Sequence, residues 1–502
     1  MTESDPFIAP EDRPLAAIDL GSNSFHLIVA KLDHGEIRPM ETLAEKVQLA
    51  AGFKKGRLAD DAIARGLDCL TRFQQLLSSV DPARIRVVGT QALRQAKNRT
   101  QFTQAAERIL GVPVDVIYGR EEARLVYLGV AHTVADDARS RLVIDIGGGS
   151  TEFIIGERFE PKQLESLQMG CVSYTDRFFS HGRLSKARFK RAYDQACIEV
   201  SHIKRLFPPH RWEEAVGSSG TLQAIEAILA DLGLSEAGIQ RSSLLKLKRH
   251  LLQFDTMEAI QLPSLVDKRR GVIAAGIAIA LAIMDVLEIA DMRTSAGALR
   301  EGVIYDLVGR LNHEDVRERS VNAMLNRYSA DPIAATFVSQ QANFLARACQ
   351  QVWNLRNEDI DMLRWAALCH DLGATISQKS YRHHSAYFIL HADMPGFSQH
   401  EQSFMASLVA NHRGKLERSL THQWSGTERT TLKRLLVLLR LAILLKYVDG
   451  DETRPTFSAI PSDDSLLLIA AEGWWANHPL TRWEIAQQKP TFKRLGISVS
   501  VA

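Results

Sequence analysis

The sequence predicts an α/β fold from Leu15 to Leu311, then a helical domain, then a small α+β tail. Three observations predict it. Short apolar runs alternate with segments of helical periodicity, the mark of α/β layers. A glycine turn between two apolar runs occurs twice, at Asp19–Ser24 and at Asp145–Thr151. From Val316 to about Asp449 the pattern is helical throughout, with few glycines.

Taken in order, Leu15–Ile18 and Phe25–Ala30 are strands around the first turn, and Ala59–Ser78 has helical spacing at Ile63, Leu67, Leu70 and Phe73. Ile85–Gly89 is a short strand, Thr90–Leu110 a loop and helix, and Val114–Ile117 another strand; Gly119 opens a helix. The second copy starts at Leu142–Ile144, turns at Gly147–Gly149 and continues as the strand Phe153–Ile155. Ala215–Val216 leads through Gly217-Ser218-Ser219-Gly220-Thr221 into a helix over Leu222–Leu232. Gly271–Met284 is an apolar run short of the ~20 residues needed to cross a bilayer, so a buried helix is expected. Thr294–Ala298 opens a helix over Leu299–Leu311, and Leu432–Tyr447 is expected to be the central helix of the helical domain. Leu466–Ala471 and Ile497–Val501 are expected as strands around a helix near Ala476–Gln487, a piece small enough to need its neighbour. The expected domains are 1–124, 125–312, 313–452 and 453–502.

At 502 residues, with 45% hydrophobic and 24% charged residues, the chain can bury several cores. A net charge of +2 gives no sign of DNA binding. Five cysteines without Cys-x-x-Cys spacing argue against a zinc or disulfide framework and for reduced thiols. Met1–Pro14 lacks a basic start and an apolar stretch, so no secretory signal and a cytoplasmic location are expected. No transmembrane segment is expected, and peripheral membrane association stays open.

The two turns carry the chemistry. Glycine lets a backbone approach an anion closely, and successive N–H groups in such a turn cradle it. Ser22 and Asn23 in the first turn, and Gly147, Gly148, Gly149 and Ser150 in the second, are therefore candidate phosphate contacts. Asp19 and Asp145, at strand ends, suit Mg²⁺, which takes oxygen ligands and keeps waters. A single such turn is met in ordinary hairpins; the duplication favours a clamp facing across a cleft. Ser218, Ser219 and Gly220 enter a helix, either as an anion site or as a plain N-cap. Glu121 and Glu122 at a helix start either complement the macrodipole or supply a general base.

Ala17–Ala30, Gly89–Arg94, Gly119–Arg124, Val143–Phe153, Met169–Ser173 and Gly297–Gly302 together resemble the exopolyphosphatase/guanosine pentaphosphate phosphohydrolase family. The resemblance implies two actin-like domains of the ribonuclease H-like, sugar kinase/Hsp70 superfamily. It further implies a helical domain and a small C-terminal domain, as in long members. By position, Glu122 matches the catalytic base, and Asp145 and Glu152 the acids that organise metal and water. Asn23, Arg94, Gly148, Ser150 and the 217–221 loop match phosphate contacts, and Arg94 can also grip phosphate oxygens with its guanidinium fork. Mg²⁺ is the implied cofactor, with Mn²⁺ an alternative and K⁺ a stimulant, and a homodimer is implied.

In the helical domain His370-Asp371 resembles the paired ligands of His-Asp phosphohydrolases, with His384, His412 and Asp449 as further candidates. No histidine lies between His313 and His370, so the set is incomplete and a non-catalytic domain is expected. Arg382, His383, His384, Arg413 and Lys415 could extend a polyanion track or simply face solvent.

Processive exopolyphosphatase activity on inorganic polyphosphate is the leading expectation, drawn from the Gly147-Gly148-Gly149-Ser150 form of the second turn and from the long chain. Hydrolysis of guanosine pentaphosphate is the alternative, with the same machinery. A kinase on the same fold ranks lower because the Arg120-Glu121-Glu122-Ala123-Arg124 motif favours hydrolysis, and a phosphate or nucleotide sensor ranks lower because Glu122, Asp145 and Glu152 are present.

Overall fold

The computed structural model describes residues 13–33, 36–134, 139–311, 315–328, 331–417, 424, 426–445 and 457–502. Asp449 and most of Met1–Pro14 lie outside them. The chain divides into two compact units, Met1–Asp315 and Val316–Ala502.

The first unit builds one sheet plan twice. Strands β1 (Leu15–Leu20), β2 (Ser24–Asp33), β3 (Glu36–Lys46), β4 (Ile85–Gly89) and β5 (Val114–Val116) lie in the order β3-β2-β1-β4-β5. β1, β2 and β3 form an antiparallel meander, and β4 and β5 add in parallel. The second sheet has β6 (Ser140–Ile146), β7 (Thr151–Glu157), β8 (Glu160–Leu167), β9 (Glu214–Gly217), β10 (Ile239–Gln240) and β11 (Asp291–Thr294). Its order β10-β11-β9-β6-β7-β8 repeats the plan with β8, β7, β6, β9 and β11, and β10 adds an edge. Parallel β1 and β6 are buried, as their apolar runs require.

Strands β3 and β8 were not anticipated from the sequence. Both are polar edge strands, both contain a proline (Pro39 and Pro161), and each pairs across a register shift. Edge position is where proline and bulges are tolerated, and there no apolar run is needed.

The helices Gly119–Ala131 and Leu299–Leu311 join the two halves through one core containing Val88, Ile117, Val143, Ile154, Val216 and Ile304. Their backbones touch: a Cβ on Gly302 would stand 1.8 Å from Leu125 O, and one on Gly129 2.1 Å from Ala298 O. The first helix runs unbroken through the boundary expected at 124/125. A buried charge knot fixes its rotation. Glu121 accepts two hydrogen bonds from Arg124 at 2.8 Å each, and Asp306 pairs with Arg86, Arg124 and Arg310. Gly271–Met284 is the buried helix expected, Ile273–Val286.

The second unit is a helical layer whose long buried helix Gly426–Leu444 shares a core with the strands β12 (Ser458–Pro461), β13 (Ser465–Ile469) and β14 (Ser498–Val501). Trp353 Nε1 donates to Ser462 O at 2.7 Å and Arg440 Nη1 to Gln488 Oε1 at 2.7 Å, tying the small tail to the helices. No described helix is long and apolar enough to cross a membrane.

Candidate active site

The two hairpin turns meet. A Cβ on Gly148 would lie 3.2 Å from Asn23 N and 3.3 Å from Ser22 Cβ. Ser22 Oγ donates to Gln91 Oε1 at 3.1 Å, and a Cβ on Gly149 would strike that same Gln91 oxygen at 2.1 Å. Glycine at 149 thus answers the packing of Gln91 between the turns. The second turn is braced from behind: Cys171 N donates to Gly147 O at 2.9 Å and Val172 N to Gly148 O at 2.8 Å. A Cβ on Gly170 would sit 2.4 Å from the Gly148 carbonyl, which accounts for the glycine in Met169–Ser173.

Four carboxylates gather behind the turns. Asp145 and Glu152 are direct cross-strand partners in β6 and β7. Like charges so placed repel each other unless something lies between them. Burial raises the pKa of Asp145 to about 6, and Glu122 adds to the rise. Burial pushes Glu152 well above the usual range, helped by Glu122 and Asp145. Asp19 is raised for the same reasons, burial first, then the charges of Glu122 and Asp145. Glu122 is also raised by burial, against the pull of Arg94.

Three of the four acids have a fixed orientation. Ser218 Oγ donates to Asp145 Oδ2 at 2.6 Å, and Ser166 Oγ to Glu152 Oε1 at 2.8 Å. Arg94 Nη1 donates to Glu122 Oε2 at 3.0 Å and to Ile117 O at 2.9 Å. Glu121, by contrast, is spent on Arg124, so of the two glutamates only Glu122 joins the acids of the turns.

Asp19 Oδ1 and Asn23 Oδ1 are buried without a hydrogen-bond partner. Two orphaned oxygens beside two facing carboxylates are what a hard cation satisfies, so the donors fit Mg²⁺. Among the described residues no three acidic, histidine or cysteine side chains form a ready cage.

The third loop divides its duties. Ser219 Oγ accepts from Leu222 N at 3.2 Å as the N-cap of the helix Gly220–Asp231, and Ser218 serves Asp145. What this loop offers an anion is the backbone of the helix start at Gly220 and Thr221. Arg269 lies over it, its Nη2 1.9 Å from where a Gly220 Cβ would be.

Sequence reasoning missed Arg269, Gln91, Ser166, His26 and Arg300. Arg269 sits in the run Asp267-Lys268-Arg269-Arg270, which looks like solvated surface. Ser166 faces Glu152 only through the unanticipated strand β8. His26, opposite Asp19, contacts Arg300 Nη1 at 3.3 Å; burial and nearby cations lower its pKa to about 4.

In the helical unit His370 and His412 are buried with ring centroids 5.5 Å apart. His412 Nδ1 lies 2.6 Å from Val409 O and its Nε2 3.1 Å from the Tyr381 hydroxyl. Arg382 Nη1 contacts the carbonyls of Ala410 and Lys415, and His383 pairs with Glu417 at 3.1 Å. These two members of the supposed polyanion track are therefore engaged within the protein.

The profile of the Ppx/GppA phosphatase family matches residues 28–311, and that of Ppx/GppA phosphatase domain III matches 316–489. A protein of Photobacterium profundum, named guanosine-5'-triphosphate,3'-diphosphate pyrophosphatase, is 36% identical over 94% of this chain and 95% of its own. A Vibrio cholerae protein of the same name is 38% identical over 97% of both chains. Among solved structures, the Aquifex aeolicus Ppx/GppA family member is 28% identical, with a TM-score of 0.51, covering 60% of this chain and 99% of its own.

Proposed function

Because the chain belongs to the Ppx/GppA phosphatase family, hydrolases of phosphoric anhydrides, we propose that it removes the 5'-terminal phosphate of guanosine-5'-triphosphate,3'-diphosphate. One observation carries the choice of substrate: four relatives, 36–38% identical over 94–97% of the chain, bear the name of that activity. This replaces the expected exopolyphosphatase reading.

The terminal phosphate lies between the turns at Ser22–Asn23 and Gly147–Ser150, with the helix start at Gly220 and the Arg269 guanidinium beside it. Glu122, held by Arg94, takes a proton from a water. The water oxygen attacks phosphorus, the bond to the bridging oxygen breaks, and orthophosphate leaves guanosine-5'-diphosphate,3'-diphosphate. A base with raised pKa suits this proton transfer near neutral pH. Asp145 and Glu152, with Asp19 nearby, would hold Mg²⁺, which would supply charge neutralisation at the phosphate. The remaining work is positioning and electrostatic stabilisation, as in other phosphoryl transfers. Arg94 acts through Glu122 as well as on phosphate.

We read the second unit as a non-catalytic relative of His-Asp phosphohydrolases. His370 and His412 approach each other there, with ring centroids 5.5 Å apart.

The decisive measurement is phosphate release from guanosine-5'-triphosphate,3'-diphosphate and from long-chain polyphosphate, side by side with Mg²⁺. The expected result is a higher kcat/KM on the nucleotide; a preference for polyphosphate overturns the reading. The ion has its own readout. Without it, the raised pKa of Asp145 means stability is full below the unfolded value near 4 and is lost as pH rises through about 6. Mg²⁺ at about a hundredfold excess over Kd is expected to restore about 2.7 kcal/mol at pH 7.5, seen as a higher Tm. Glu152→Gln is expected to shrink that response and to raise the Tm of the ion-free protein.

A further inference from the structure

A cavity of about 350 Å³ opens beside the clamp, bordered by Gly148, Gly149 and Gln91. Both of its walls hang on the phosphate turns. On one side Ala50 N donates to Ser22 O at 3.1 Å and Gln48 N to Asn23 O at 2.8 Å, placing the segment that carries Ala50 and Phe53. On the other, Val172 N and Ser173 N donate to Gly148 O at 2.8 and 3.2 Å, placing the helix that carries Asp176. Whatever fills the cavity is thereby held in register with the phosphates.

The lining is mixed. Ala50, Phe53 and Val172 are apolar, while Gln95, Ser173, Asp176 and Arg177 bring polar groups. Asp176 is exposed as a residue, yet partial burial of its carboxyl raises its pKa. A second, larger cavity of about 530 Å³ shares Asp176 and adds the carboxylates of Glu258 and Asp267. Arg270 there is already paired with Asp267, so that space disfavours a diphosphate arm.

A carboxylate only accepts hydrogen bonds. Guanine presents two adjacent donors, N1–H and the 2-amino group, which a carboxylate receives together; adenine has no donor at N1. Resting on the substrate reading above, we propose that the 350 Å³ cavity holds the guanine of the substrate, with Asp176 accepting from N1–H and the 2-amino group and Phe53 packing on the ring. Asp176 is then a specificity residue, distinct from the catalytic acids. An inorganic phosphate chain has nothing to place there.

The test compares kcat/KM for guanosine-5'-triphosphate,3'-diphosphate, its adenosine counterpart and tripolyphosphate, in the wild type, Asp176→Asn and Phe53→Ala. Loss of a two-bond contact to a base is worth about 5–150-fold in discrimination. Asp176→Asn is expected to lower the guanosine-to-adenosine ratio within that range. Phe53→Ala is expected to raise KM for both nucleotides more than for tripolyphosphate. An unchanged guanosine-to-adenosine ratio in Asp176→Asn, or equal losses on all three substrates, overturns the assignment. If the wild type hydrolyses tripolyphosphate but neither nucleotide, the substrate reading fails and takes the assignment with it.

Discussion

Glu122→Gln is expected to lower kcat by about 10²–10⁴-fold, the usual worth of a positioned general base. KM should move little, because the phosphate contacts come from the turns and from Arg269. The variant should also be at least as stable as the wild type. Burial raises the pKa of Glu122, so its carboxylate form is costly in the folded state. The contribution of such a group is full below its unfolded pKa and is lost as pH rises through the folded value. A neutral glutamine avoids that loss at pH 7.5 and can still accept from Arg94. Single-turnover phosphate release and thermal unfolding, measured on one preparation, separate the two effects. Near-wild-type turnover with saturating Mg²⁺ would remove Glu122 from the mechanism.

Asp306→Ala is expected to destabilise the first unit by about 3–5 kcal/mol, because it removes the carboxylate that buried cations share, leaving Arg124 to Glu121 alone and Arg86 to Asp115 at 3.4 Å. Arg86 and Arg124 are both buried, and Asp306 is the carboxylate they share. Urea unfolding at pH 7.5 measures the loss. Although burial opposes it, the three guanidinium groups hold the Asp306 pKa far below the usual carboxylate range. Its contribution is thus present above the unfolded pKa near 4 and fades only as pH falls through the much lower folded value. Between pH 7 and 5 the stability difference between variant and wild type should stay constant. A difference under about 1 kcal/mol would show the knot to be no more than a surface-like pair.

Much of this site could be read from the chain because its parts are local. Asp19 and Ser22–Ser24 stand in one hairpin, Asp145–Glu152 in another, and their residue types are tied to the turns. Glu122 could be told from Glu121 only by resemblance; in the structure Glu121 pairs with Arg124 and Glu122 with Arg94. What could not be read comes from distant segments. Arg269 reaches the loop at Gly220 from across the second half, and Ser166 depends on an edge strand with no apolar signature. The exopolyphosphatase reading rested on the form of the second turn and on the long chain, and four relatives named for the nucleotide activity overturn it.

The doubled sheet has a consequence for symmetry. Two equal halves would present matched pairs at the strand ends, Asp with its cross-strand partner in each. Here the partner is Glu152 in one hairpin and His26 in the other. Burial and its cationic neighbours keep His26 neutral at physiological pH. One half therefore offers two carboxyl groups and its twin offers one. The repeat persists in the architecture while the chemistry has become one-sided, giving a substrate a single direction in which to lie.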